Sequence, residues 1–218
     1  MARIVFDLDG TLIDSAPDIQ GVANALMSEE GFEPLTLAQT RDFIGNGVGV
    51  FVEKMRGARG ISETEQDRLL ANFIARYHSA TKLTEVYPGV AHALQSLNAA
   101  GHSLGVCTNK PMTATGTVLA HLSLDAYFKT IIGGDSLPVS KPDPAPLHAA
   151  FDALGEGPEI YVGDSDVDAE TAMRANVPFL LFTEGYRKVP VAELHHTDAF
   201  THFDKLPGLV SHHLADAS

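Results

Sequence analysis

Positive charge is scarce in this chain. Its 218 residues carry 15 lysines and arginines against 28 aspartates and glutamates, a net charge of −13, and protonating all ten histidines would still leave −3. Such a surface repels polyanions, which argues against nucleic acid as a partner. Long hydrophobic runs are missing too. The longest, such as VPFLLF at 177–182, fall far short of the roughly 20 residues that a membrane span needs. The N-terminus lacks a basic region followed by an apolar stretch and a cleavage site, so the expectation is a cytoplasmic protein with no membrane partner. There is one cysteine, Cys107. Alone it forms no internal disulfide, and within LGVCTN it reads as a small buried core residue instead of a catalytic thiol. Low-complexity stretches and internal repeats are absent, and nothing in the sequence specifies an oligomeric state.

What is present is an alternation. Five short apolar, β-rich segments recur, RIVFDLD, HSLGVCTN, KTIIGGD, EIYVGDS and VPFLLFT, separated by stretches with helical spacing. In PGVAHALQSLNAAGH, Val90, Ala93, Leu94 and Leu97 share one face and Gly101 stops the helix. Strands alternating with helices predict a parallel sheet covered on both sides, an α/β fold of the doubly wound, Rossmann-like kind. Between Asp14 and Lys82 the alternation lapses into helical patterns, PDIQGVANALMSEEG and SETEQDRLLANFIARYHSA. This predicts a helical cap, residues 15–82, inserted after strand 1 into a catalytic core of residues 1–14 and 83–218. Pro88-Gly89 punctuates the return.

Four of the five strands end in a polar group, Asp7, Thr108, Asp135 and Asp164, and in open α/β sheets ligands bind outside the carboxyl ends of the strands. The first strand runs into FDLDGT, where strand periodicity would point Asp7 and Asp9 the same way. Two such carboxylates repel each other unless a cation or a shared proton compensates. GDSDVDAE at 163–170 mimics a calcium loop, but its sixth position is Ala169 and its twelfth Ala175, where glycine and glutamate are required. Walker A spacing is absent. Asp7, Asp9 and Asp164 are hard oxygen donors suited to Mg²⁺. Thr108 and Lys141, the latter in SKPDP, suit a phosphoryl group whose charge is spread during transfer. Asp135 reads as a strand-end cap before a metal contact, Asp166 as solvent-facing, and the histidines of HHTDAFTH at 195–202 and of 212–213 as solvated.

FDLDGT, CTNKP, SKPDP and VGDSDVD, in that order and spacing, resemble the four motifs of the haloacid dehalogenase-like hydrolase superfamily. The resemblance implies that Asp7 is a nucleophile forming an aspartyl-phosphate and that Asp9 is the acid/base. It implies Mg²⁺ held by Asp7, the backbone carbonyl of Asp9, and Asp164. Thr108 and Lys141 would bind the phosphoryl oxygens, with Thr11 and Asn109 assisting substrate binding and Ser165 and Asp168 in support; Asp168 would either orient Lys141 or bind the metal through water. RDFIGNGVGVFVEKM at 41–55 places Gly45, Asn46 and Gly47 ahead of a helix, a loop whose N–H groups suit a small anion, and Arg41 or Lys54 is the candidate for nearby positive charge. This loop and GGDSLPVSKPDPAPLHAA resemble phosphoglycolate phosphatases, which implies a small phosphate ester, 2-phosphoglycolate, as substrate. The alternatives are a sugar-phosphate phosphatase, a β-phosphoglucomutase-like enzyme and a phospho-accepting receiver module. A haloacid dehalogenase would lack Asp9, and a receiver has no inserted cap.

Overall fold

The computed structural model describes residues 1–216. Six parallel strands make the sheet: β1 (Arg3–Phe6), β4 (Ser103–Cys107), β5 (Thr130–Ile132), β6 (Glu159–Gly163), β7 (Phe179–Phe182) and β8 (Asp198–Phe200), with β2 (Ile13–Asp14) and β3 (Glu85–Val86) forming a separate antiparallel pair. Their order is β5-β4-β1-β6-β7-β8. β1 sits between β4 and β6, with Phe6 beside Val106 on one side and Val162 on the other. Chain order reverses at β1, so a crevice opens at its carboxyl end.

Period-two alternation along β1 divides the core. Ile4 and Phe6 join the apolar cluster under α5 (Val90–Ala99), α6 (Met112–His121) and α9 (Leu206–Asp216). Val5 faces the opposite cluster, under α7 (Ala145–Ala153) and α8 (Asp166–Ala175). All four β1 residues except Arg3 are buried, as a strand covered on both faces requires. No helix among the described residues is long and apolar enough to cross a membrane.

Four further helices occupy the stretch after β2: α1 (Ala16–Glu29), α2 (Leu37–Phe43), α3 (Gly47–Gly57) and α4 (Gln66–Tyr77). Apolar residues at helical spacing on α1 (Ile19, Val22, Ala23, Leu26) meet Phe51, Val52 and Met55 of α3 and Leu69, Phe73 and Tyr77 of α4 in a third cluster. Ala114 of α6 and Tyr186, after β7, also belong to it, so these two residues join the apolar cluster of the inserted helices to the core. β2 and β3, where Ile13 pairs with Val86, are the two places at which the chain leaves and re-enters the core.

Two expectations need correction. β8 lies in DAF, inside HHTDAFTH and outside the five β-rich segments; it is three residues long, only Phe200 is buried, and its polar flanks hide the signal. β1 also ends at Phe6 instead of running through Asp9: Thr11 and Leu12 both return N–H bonds to the Leu8 carbonyl, at 3.2 and 2.9 Å, closing a turn immediately after Asp7.

Candidate active site

The turn after β1 sends its two aspartates to different cations. Asp7 Oδ1 accepts from Lys141 Nζ at 2.7 Å, and its other oxygen takes no hydrogen bond from the described residues. Asp9 Oδ1 accepts from Ser15 Oγ at 2.5 Å and from Lys110 Nζ at 3.0 Å. Both carboxylates line one cleft, floored by the carboxyl ends of β1, β4 and β6 and roofed by Val48 and Phe51 of α3 and Phe73 and Tyr77 of α4. Alternation along a strand does not bring them together, because the strand has already ended; the turn does.

Lys141 is almost wholly buried and makes three hydrogen bonds, to Asp7, to Asp168 Oδ1 at 2.7 Å and to Tyr161 Oη at 2.8 Å. Burial alone would discharge it, but the Asp168 and Asp7 carboxylates hold its pKa above the ordinary lysine value. Asp168 engages both its oxygens. Oδ1 takes Lys141 and Tyr161, while Oδ2 takes the Ser165 hydroxyl at 2.6 Å and the N–H groups of Asp164 and Ser165. Ser165 returns the favour as N-cap of α8, accepting from the Asp168 N–H. Burial opposes this charge as well, yet Lys141 holds the Asp168 carboxyl below the ordinary range.

Asp164, at the end of β6, is fully buried with no cation against it. Thr11 Oγ1 donates to Oδ1 at 2.7 Å and the Tyr186 N–H to Oδ2 at 2.6 Å. Burial, and then the charges of Asp168 and Asp7, push its pKa well up. Burial likewise raises the Asp7 carboxyl to about 7. Carboxylate oxygens of Asp7, Asp164 and Asp168 lie within 4.8 Å of one another. Three acids served by one lysine leave an excess of buried negative charge, and this donor set fits a divalent cation. Asp168 has its lone pairs engaged, so Asp7 and Asp164 are the side chains with capacity to spare. Glycine at 185 makes room for them, since a Cβ there would collide with the Asp164 carboxylate.

The other anticipated residues fall in three groups. Thr108, at the end of β4, lines the cleft, and its hydroxyl accepts from the Lys110 N–H at 3.2 Å. Asn109 is a clamp: its amide donates to the carbonyls of Gly45 and Lys141, each at 2.9 Å, and accepts from the Lys141 N–H at 3.0 Å. Thr11 has no exposed surface and is turned to Asp164, so it is not placed against a substrate. Gly45 and Gly47 line the cleft, and α3 begins at Gly47 with Asn46 as its N-cap; the Asn46 side chain makes no capping bond and does not line the cleft. Arg41 and Lys54 stand away from the cleft, Arg41 paired with Asp14 at 2.8 Å and Lys54 half-buried, donating to the Asp42 carbonyl at 3.5 Å. Asp135 is exposed and accepts from the Met112 N–H at 2.7 Å, capping α6. Asp166 is half-buried instead of solvent-facing, with Oδ1 enclosed. Cys107 is fully buried, and burial pushes its thiol up to about 12.

Sequence reasoning passed over three residues. Lys110 stood in the quoted CTNKP as a lysine one position past the assigned pair. Tyr186 gives no local signal, yet its N–H serves Asp164 while its hydroxyl donates to Asp14 at the root of the insertion. Lys188, in the same loop, donates to the Ile44 carbonyl at 3.1 Å beside Gly45.

Residues 4–182 match the haloacid dehalogenase-like hydrolase family. A phosphoglycolate phosphatase of Cereibacter sphaeroides is 50% identical over 218 residues, spanning 99% of this chain and all of that protein. One of Rhodobacter capsulatus is 41% identical, covering 95% of each chain. The crystal structure of a predicted phosphoglycolate phosphatase from Haemophilus somnus superimposes with a TM-score of 0.88 at 29% identity, over 95% of this chain and 96% of that one. Motif order, sheet topology and these likenesses agree: the chain belongs to the haloacid dehalogenase-like hydrolases.

Proposed function

We propose that the chain is a Mg²⁺-dependent phosphatase that hydrolyses 2-phosphoglycolate to glycolate and phosphate through an aspartyl-phosphate on Asp7. The observation that carries the reading is Asp7 itself, with one oxygen held by Lys141 and the other unengaged in a cleft shared with Asp9. The free oxygen attacks phosphorus while Lys141 and the Thr108 hydroxyl receive the equatorial phosphoryl oxygens. Asp9 gives its proton to the departing alkoxide and later takes one from the water that cleaves the acyl phosphate. Mg²⁺ would be held by a carboxylate oxygen of Asp7, the Asp9 carbonyl and Asp164, and supplies charge neutralisation at the phosphoryl group. Ser165 and Asp168 fix Lys141 and the start of α8. Thr11 positions Asp164, and Asn109 joins the Gly45–Gly47 loop to the Lys141 loop.

Residues 15–82 act as the cap over a core of residues 1–14 and 83–218, and exclude water while the α3 N-terminus faces the anion. The substrate class follows from the shared name of the relatives. A cytoplasmic location fits a small charged metabolite. Ranking a panel of phosphate esters by kcat/KM in Mg²⁺ tests the proposal: 2-phosphoglycolate should lead, and both excess EDTA and Asp7→Asn should bring turnover to background. A tenfold preference for a sugar phosphate or pyrophosphate, about 1.4 kcal/mol in transition-state binding, refutes the substrate. Turnover by folded Asp7→Asn protein refutes the chemistry.

A further inference from the structure

The cleft contains a second buried lysine with no part in the phosphoryl chemistry above. Among the described residues lining it, Lys110 and Lys141 are the only cations. Lysine has three N–H donors, and Lys141 directs its three at three separate groups, Asp7, Asp168 and Tyr161. Among the described residues Lys110 serves two groups, directing its bonds at both oxygens of Asp9 and at Tyr77. It lies 3.0 and 3.4 Å from the two Asp9 oxygens and donates to the Tyr77 hydroxyl, with its Nζ 4.4 Å from the centre of that ring. The Tyr77 hydroxyl accepts this bond, and its own proton has no acceptor among the described residues. Burial works against the Lys110 charge, but Asp9 and then Tyr77 keep its pKa above the ordinary lysine value.

We propose that Lys110, together with the Tyr77 hydroxyl, receives the carboxylate of the substrate and thereby sets the preference for 2-carboxy phosphate esters. This deepens the phosphatase reading and rests on it. With Asp9 at the leaving oxygen, the carboxylate oxygens of 2-phosphoglycolate lie three bonds beyond that atom, and Lys110 Nζ lies one hydrogen bond beyond Asp9. Phe51, Phe73 and Val48 line the same cleft, the Phe73 ring 5.3 Å from that of Tyr77 and the Phe51 ring 5.2 Å from that of Phe73, so a charge-assisted bond there is stronger than in water, and a substrate without the carboxylate leaves the Tyr77 proton unanswered. The two donors come from different parts of the chain, Lys110 following β4 and Tyr77 ending α4. The carboxylate receptor therefore exists only while the helical insertion is seated on the core.

The test compares 2-phosphoglycolate with ethylene glycol monophosphate, which replaces the carboxylate by a hydroxymethyl group and keeps a leaving group of similar basicity. Wild-type protein should favour 2-phosphoglycolate; if it does not, the substrate reading itself falls, and the inference with it. Given that preference, Lys110→Met should cut the kcat/KM ratio of the two substrates by about 100-fold, the scale of a lost charge-assisted contact in a site built for it. Tyr77→Phe, which keeps the ring over Lys110, should cut it less, and Lys110→Arg should retain part of it. Equal losses on both substrates mean that Lys110 serves Asp9 or the fold alone, and that result overturns the inference while leaving the phosphatase reading standing. Should Lys110→Met fail to fold, Lys110→Gln, which can still donate to Asp9, carries the same ratio test.

Discussion

At the scale of single residues the site is organised by which carboxylate oxygens are engaged and which are open. Asp168 and Asp164 are both buried aspartates near β6, yet Asp168 is saturated by hydrogen bonds while Asp164 accepts two neutral donors and meets no cation. That difference leaves Asp164 with capacity for a cation, while Asp168 is taken up by Lys141 and its neighbours. Gly185 is a sensitive point of this arrangement, because any side chain there displaces the Asp164 carboxylate while leaving the four motifs untouched. Partners of metal ligands typically contribute about 10–100-fold in affinity. Gly185→Ala is expected to raise the Mg²⁺ concentration for half-maximal activity by that order, with the circular dichroism spectrum unchanged. An unaltered Mg²⁺ titration would show that Asp164 does not hold the cation.

Elements act here through their ends. α3 starts at Gly47, whose φ of +84° is in the left-handed region that glycine enters without strain. Asn109, at the end of β4, holds the preceding Gly45 carbonyl, so the first turn of α3 is tied to the strand that carries Thr108. A β-branched residue at 47 finds ordinary contact distance to the Asn109 carbonyl, 3.6 Å from a Cβ, but cannot hold the backbone angle. Strain of this kind costs about 1–3 kcal/mol. Gly47→Val is therefore expected to move the α3 N-terminus and to depress kcat/KM for 2-phosphoglycolate well beyond the loss for p-nitrophenyl phosphate, which has no carboxylate. Parallel losses would reduce the loop to a hinge.

Across the whole molecule, the cost of collecting buried acids at one crevice appears as a dependence of stability on metal and on pH. The Asp7 carboxyl is raised from 3.8 to about 7 by burial. A raised carboxyl pKa means that the fold without metal holds its proton more tightly than the unfolded chain does. The stability it contributes is complete below about pH 4 and is lost as pH rises through about 7. A divalent cation reverses this by favouring the carboxylate, and competes with the proton below pH 7. Mg²⁺ at about 100 times its dissociation constant should add roughly 2.7 kcal/mol, or about 5–10 °C in Tm for a chain of this size. Melting in Mg²⁺ and in EDTA should show the difference widening from pH 5 to pH 8. A gap independent of pH would place the cation away from Asp7.

The alternation of β-rich and helical segments determined the parallel sheet, because covering both faces of a strand demands continuous apolar runs that survive in any reading of the chain. The break after Asp14 likewise marked the inserted helices, and FDLDGT, CTNKP, SKPDP and VGDSDVD marked the strand ends where Asp7, Thr108, Lys141 and Asp164 meet. Local pattern carries such information since each of these elements is specified by its own periodicity and punctuation. It did not contain the edge strand β8, whose three residues lack a periodic signal, nor the end of β1 before Asp7. The division of labour between the lysines was equally out of reach. Lys141 serves Asp7 from 134 positions away and Lys110 serves Asp9 from 101, while Arg41, beside the glycine loop in sequence, is drawn off by Asp14. Separation along the chain says nothing about which charges share a low-dielectric cleft; only the convergence of the loops that follow the sheet strands, beneath the helical insertion, decided which cations were buried with which carboxylates.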